Sequence, residues 1–144
     1  MRNLMLVLAA VAVLVNGCTS VQVTALDPAL NVELICIENN PAVMIADFLG
    51  VLEDGIARNG KKTRVFHGTK PQYCEYVLRY TALQSWDITT YLSHAELRIY
   101  KDDTQVASAV YRLKGKGGLD MSKWQSTKIK MDPVIDGLLS KKQP

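Results

Sequence analysis

The stretch YLSHAELRIY, residues 91–100, alternates as few helices can. Ala95, Leu97 and Ile99 fall on one side, and His94, Glu96, Arg98 and Tyr100 on the other. A period of two predicts a β-strand with one apolar and one solvated face. Lys101-Asp102-Asp103-Thr104 follows, a hairpin turn by composition. QVASAVYRLKG then returns with Ala107, Ala109, Tyr111 and Leu113 aligned. Upstream, CEYVLRYTALQSWD at residues 74–87 is apolar on both faces in part, as a central strand would be. Residues 74–114 are therefore expected to form a three-stranded antiparallel meander, and the rest of the chain must pack on it.

The flanking segments supply the partners. VELICIENN, residues 32–40, is rich in strand formers and ends in asparagines. Asn40-Pro41 has the form of an N-cap followed by proline at the first helical position. Ile45, Phe48, Leu49, Leu52 and Ile56 then recur at spacings of three and four, one buried helix face. Asn59-Gly60 stops that helix in a left-handed turn, and KTRVFHG at 62–68 is a short strand. Ile129, Val134, Ile135, Leu138 and Leu139 mark a C-terminal helix, with a fresh start expected at Asp132-Pro133. The sum is an α+β fold: a mainly antiparallel sheet of about 4–5 strands with two helices packed on one face.

The N-terminus carries an address. Met1-Arg2-Asn3 is basic, residues 4–15 are apolar throughout, and Asn16-Gly17-Cys18 follows. The apolar run spans ~18 Å as a helix, against ~30 Å of membrane hydrocarbon, so it suits a secretory leader better than a membrane span. A small residue just before a cysteine resembles a bacterial lipobox, although Val15 and Asn16 replace the more usual residues. The resemblance implies cleavage after Gly17 and lipid on Cys18, with an ordinary leader and an incidental cysteine as the alternative. Several acyl chains on one residue hold a domain firmly, where a single chain holds weakly. Thr19 stands where an aspartate would resemble an inner-membrane retention signal, which favours the periplasmic face of the outer membrane. The expected organisation is a leader at 1–17, a lipidated N-terminus and tether at 18–31 with a first strand around Val21-Gln22-Val23, and a single domain at 32–144.

Removing the leader takes away Arg2 and no acid, so the net charge of +3 stays small. Nothing in that balance calls for nucleic acid. With Cys18 lipidated, Cys36 and Cys74 remain in an oxidising compartment. One disulfide is expected; two separately buried thiols are the alternative, and the absence of neighbouring histidines argues against zinc.

No catalytic constellation is legible. Ser93 and His94 are adjacent on a strand and point to opposite faces. His94 and Glu96 share a face and are candidates for an ion pair, a weak metal contact or a ligand surface together with Trp86, but a solvated histidine is the plainer reading. Trp86 either packs or forms an exposed aromatic platform. Glu33 and Glu38 flank a strand without an evident partner, and Glu53-Asp54 diverge on a helix. GKGG at 115–118 lacks the serine or threonine of a phosphate loop and reads as a hinge. Lys114, Lys116, Lys123, Lys128 and Lys130 make the C-terminal third basic, a solvated face or a loose attraction for anionic lipid or polymer.

The segments CIENNP at 36–41, YTALQSWD at 80–87, YLSHAELRIY at 91–100, GKGGLDMSKWQ at 115–125 and KMDPVIDGLL at 130–139 resemble an uncharacterised family of small proteobacterial lipoproteins. The likeness covers most of the mature chain. It implies an α+β periplasmic domain behind a lipobox, with no catalytic residue to carry over. A non-enzymatic binding or envelope-assembly module follows as the expectation. It needs no cofactor or metal, is held to the membrane by lipid and has an envelope protein as candidate partner. A ligand carrier or enzyme with a pocket near Trp86, His94 and Glu96 is the alternative.

Overall fold

The computed structural model describes residues 19–114 and 121–140. The expected leader, Cys18, residues 115–120 with the expected GKGG hinge, and the last four residues lie outside them. Six strands form one sheet: β1 Thr19–Thr24, β2 Leu34–Glu38, β3 Lys62–Phe66, β4 Tyr76–Asp87, β5 Thr89–Lys101 and β6 Thr104–Leu113. Their spatial order is β1-β6-β5-β4-β2-β3. Two helices, α1 Phe48–Arg58 and α2 Thr127–Leu139, pack together on one face.

The meander is as expected. β4 and β5 are antiparallel with Leu78 opposite Ile99, β5 and β6 with Leu97 opposite Ala109. The turn at 101–104 is made by Asp102 in the left-handed region, φ 51°. The alternation also sorts the faces correctly: Ala95, Leu97, Ile99, Ala107, Ala109 and Tyr111 are all buried beneath the helices. Four alanines in this layer (82, 95, 107 and 109) keep the sheet surface low, so that α2 settles close with Met131, Val134, Ile135 and Leu138.

The sheet has six strands rather than four or five, and it is mixed. β2 runs parallel to both neighbours, β3 and β4. The reason is the connection: β2 reaches β3 through α1, and a helical crossover returns the chain in its original direction. Residues 19–31, expected to hold a tether and a first strand, contribute β1 against β6, with Thr19 opposite Leu113, and a one-turn 3-10 helix, Pro28–Leu30.

Both helix starts differ from expectation. α1 begins at Phe48, not at Pro41. The Asn40 side chain accepts from the Ala42 backbone N–H (3.0 Å) and donates to the Tyr80 carbonyl (2.8 Å), so it closes a turn and ties it to β4. The cap-type bond is therefore made, but only a turn follows it, and the helix starts later at Phe48. α2 begins at Thr127, capped by Ser126, whose hydroxyl accepts from the Ile129 N–H, and it runs through Pro133 without restarting. The two helices meet at Gly55, where a Cβ would come within 2.7 Å of Ile135 Cδ1.

β3 and β4 flank β2 and are parallel to it, so residues 67–75 must cross β2. They do so on the face without helices. There Cys36 and Cys74 form a disulfide, Cα–Cα 5.7 Å, packed with Phe66 and Val77 in a small second core. The crosslink fastens the crossing segment to the strand it crosses.

Candidate functional site

The helix-free face is a polar array built by strand alternation. Cross-strand register places Arg79 beside Arg98, Thr81 beside Glu96 and Leu83 beside His94. Parallel pairing of β2 with β4 brings in Glu38, whose Oε2 is 2.7 Å from Arg79 Nε. Glu96 sits between Arg98 and His94, 2.5 Å from Arg98 Nη2 and 3.0 Å from His94 Nε2. The Arg79 guanidinium lies 5.0 Å from the centre of the Tyr100 ring. The Glu38 hydrogen bond, opposed by partial desolvation, holds that guanidinium even further above neutrality.

These groups border a groove of about 420 Å³, floored by β4 and β5 and rimmed by Asn39, Asn40 and Pro41. Exposed ion pairs of this kind contribute about 0–1 kcal/mol each, so they add little to stability. Their effect is to hold planar, multi-donor arginine forks in fixed positions. Glu38, which sequence alone left without a partner, is part of the site. Arg79, Thr81 and the 39–41 rim were also missed, because their membership depends on β2 lying beside β4. Among the described residues, no group of three His, Cys, Asp or Glu side chains is placed to hold a metal ion.

Trp86 does not join His94 and Glu96. It pairs with Thr90 at the far end of the β4–β5 hairpin, about 13 Å along the strand from His94. Between them the register slips at Leu83/Gln84, and Ser93 donates to the Leu83 carbonyl, 3.2 Å.

The basic C-terminal segment is not a uniform charged face. Lys128 is 2.9 Å from Asp132. Lys123 is buried and ion-paired with Asp87. Lys130 is buried against the carbonyls of Leu92 and Lys123 and lies 5.5 Å from the centre of the Tyr91 ring.

Burial pushes the Lys130 amine down to about 8, and pushes the Tyr111 hydroxyl, buried without a partner among the described residues, up to about 12. Between pH ~8 and ~10 the unfolded chain, with an ordinary lysine, binds more protons than the folded one, so stability rises with pH. Above pH ~10 unfolded Tyr111 ionises first and stability falls. Urea unfolding across this range should show a maximum near pH ~10, and Lys130→Met should remove the rising limb. A flat profile in the parent chain contradicts this.

The fold resembles that of PelC. A leucine-to-methionine variant of PelC from Paraburkholderia phytofirmans, described as a dodecamer, aligns with a TM-score of 0.52 at 13% identity, covering 87% of this chain and 99% of that one. A second PelC dodecamer from the same organism aligns at 0.57 with 11% identity, over 83% and 98%. No protein-family model and no curated protein matches the sequence. At such identities PelC speaks for the sheet-and-helix arrangement alone, and none of the groove residues is assigned through it.

Proposed function

We propose that the protein is a lipoprotein anchored through Cys18 to the periplasmic face of the outer membrane. It works there as a non-enzymatic binding or assembly module, with the helix-free sheet face as its contact surface. The observation that carries this reading is the Glu38–Arg79 and His94–Glu96–Arg98 array beside an open groove. Its charges neutralise one another in place, which suits recognition of a partner with matching polar groups better than generation of a reactive one. The leader-like N-terminus and the Cys36–Cys74 crosslink suit an oxidising envelope compartment.

A photo-crosslinking residue placed at Thr81 tests it in cells. The reading expects a discrete adduct that Arg98→Glu abolishes and a label at exposed Lys62 does not reproduce. No adduct above background in several growth conditions sinks it. The PelC structures are dodecamers, so a second copy of the chain is the first partner to examine. Light scattering that reads a single chain's mass directs the search to unlike partners.

The second reading, a ligand carrier or enzyme, rests on the 3.0 Å His94–Glu96 pair. An activity or ligand unaffected by combined His94→Ala and Glu96→Ala substitution discards it.

A further inference from the structure

The tip of the β4–β5 hairpin is apolar, exposed and strained. Trp86 is 76% exposed and Ile88 79%, and Met121, in the 3-10 turn whose Lys123 and Trp124 contact Asp87, is 74% exposed. Ile88 has φ 63°. A β-branched residue in the left-handed region is a genuine outlier, since its Cβ crowds the backbone where glycine or asparagine would sit without cost. Such strain persists only when neighbours over-determine it. Here they do: the Asp87 carboxylate is held by buried Lys123, and its carbonyl accepts from Trp124 Nε1 at 3.1 Å. The 3-10 turn Met121–Trp124 that supplies both contacts also presents Met121. The braced turn thus leaves large apolar side chains open to solvent.

Strand register says what lies nearby. β1 is antiparallel to β6, with Thr19 opposite Leu113, and His94 lies opposite Arg112. Thr19 is therefore level with Ser93, in the half of β5 nearer the hairpin, and so toward the same end of the sheet as the tip. Ile88 lies about 17 Å further along the strands and about 12 Å across them. Cys18 is one peptide bond from Thr19. Arg112 and Lys114, both exposed, sit at this same end.

We propose that the hairpin tip is a second point of membrane contact: Trp86 and Ile88 enter the headgroup and upper acyl region of the bilayer that the lipid on Cys18 anchors. This rests on the lipoprotein reading and deepens it. Tryptophan favours that interfacial layer because its ring is amphipathic, and the two cations favour anionic headgroups. Two contacts on the order of 20 Å apart fix the domain's orientation, where a single anchor would let it swivel.

The test uses the full mature protein, purified from cells that acylate it and reconstituted in phosphatidylethanolamine–phosphatidylglycerol vesicles. Trp124→Phe leaves Trp86 as the sole tryptophan. Its emission should shift to the blue and fall about twofold when a lipid doxyl label is placed high on the acyl chain, and Ile88→Asp should abolish both changes. The same reading comes without that background, as the quenching the native protein loses on Trp86→Phe. Ile88→Asn should raise Tm by about 3 °C by relieving strain while reducing the quenching, a combination that a purely structural turn would not give. Protein that floats with the vesicles while Trp86 stays unquenched overturns the tip contact and leaves the anchor intact. A tip covered by a second copy gives that same overturning result. Protein that mass spectrometry shows unacylated at Cys18, and that does not float, overturns the anchor and the tip contact together.

Discussion

Substituting alanine at both Cys36 and Cys74 should lower the unfolding free energy by roughly 4 kcal/mol in the chain-entropy treatment of a loop this long. Small domains have only about 5–15 kcal/mol in total, so this is a large share of the whole. The effect acts first on the unfolded chain, which the crosslink deprives of conformations. It acts also on the folded one, because the crossing segment 67–75 lies over β2 and its inner anchor is a four-residue apolar cluster, Cys36, Phe66, Cys74 and Val77. Alanine is the right probe, since both cysteines are buried and serine would add an unpaired hydroxyl. Urea unfolding of parent and variant decides the matter. The urea slope should rise as well, since an uncrosslinked chain exposes more surface. A loss below about 1 kcal/mol with an unchanged slope would mean that the unfolded chain is already constrained without the bridge.

Phe48→Ala should cost about 3–5 kcal/mol, the usual range for removing a fully buried aromatic side chain. Phe48 opens α1, is wholly buried, and stacks on Tyr80 with ring centres 5.6 Å apart. The consequence reaches the groove. Tyr80 receives both Asn40 contacts, its hydroxyl accepting from the Asn40 N–H at 3.3 Å and its carbonyl from the side-chain amide at 2.8 Å. Asn40 in turn forms the groove rim. Loss of the ring should therefore loosen the rim before the sheet melts. Phe48→Leu keeps most of the volume and should cost under about 1.5 kcal/mol. Amide exchange can separate the two effects: protection at Ala42 and Val43 should fall more in Phe48→Ala than protection in β5 and β6. Uniform loss across the sheet would refute the link between the aromatic stack and the rim.

The segments legible from sequence share one property: their determinants are local. The alternation of residues 91–113 specified strand, face and turn at once, because a period-two pattern has one consistent burial. Asn59-Gly60 ended α1 where a left-handed residue is needed, and Gly60 has φ 73°. The two helix starts were misplaced for the opposite reason. Asn40-Pro41 carries a sound capping signal, and Asn40 Oδ1 does accept from the Ala42 N–H, but its amide also ties this turn to Tyr80, a residue forty positions away, and no helix follows until Phe48. Pro133 carries a sound starting signal, but packing from Met131 to Leu139 carries the helix through it.

What the chain determines unaided is which residues prefer to be inside, where turns fall, and which two thiols remain once the first is set aside. Which strand lies beside which was decided only by the folded sheet. That choice made β2 the parallel neighbour of both β3 and β4, gave Glu38 its arginine, built the groove, and set Thr19 at the same end as Trp86 and Ile88. The physical reason is that local pattern fixes the face of each strand but is indifferent to its neighbours. Strand order is selected by closing loops and burying whole faces together, a property of the assembled chain.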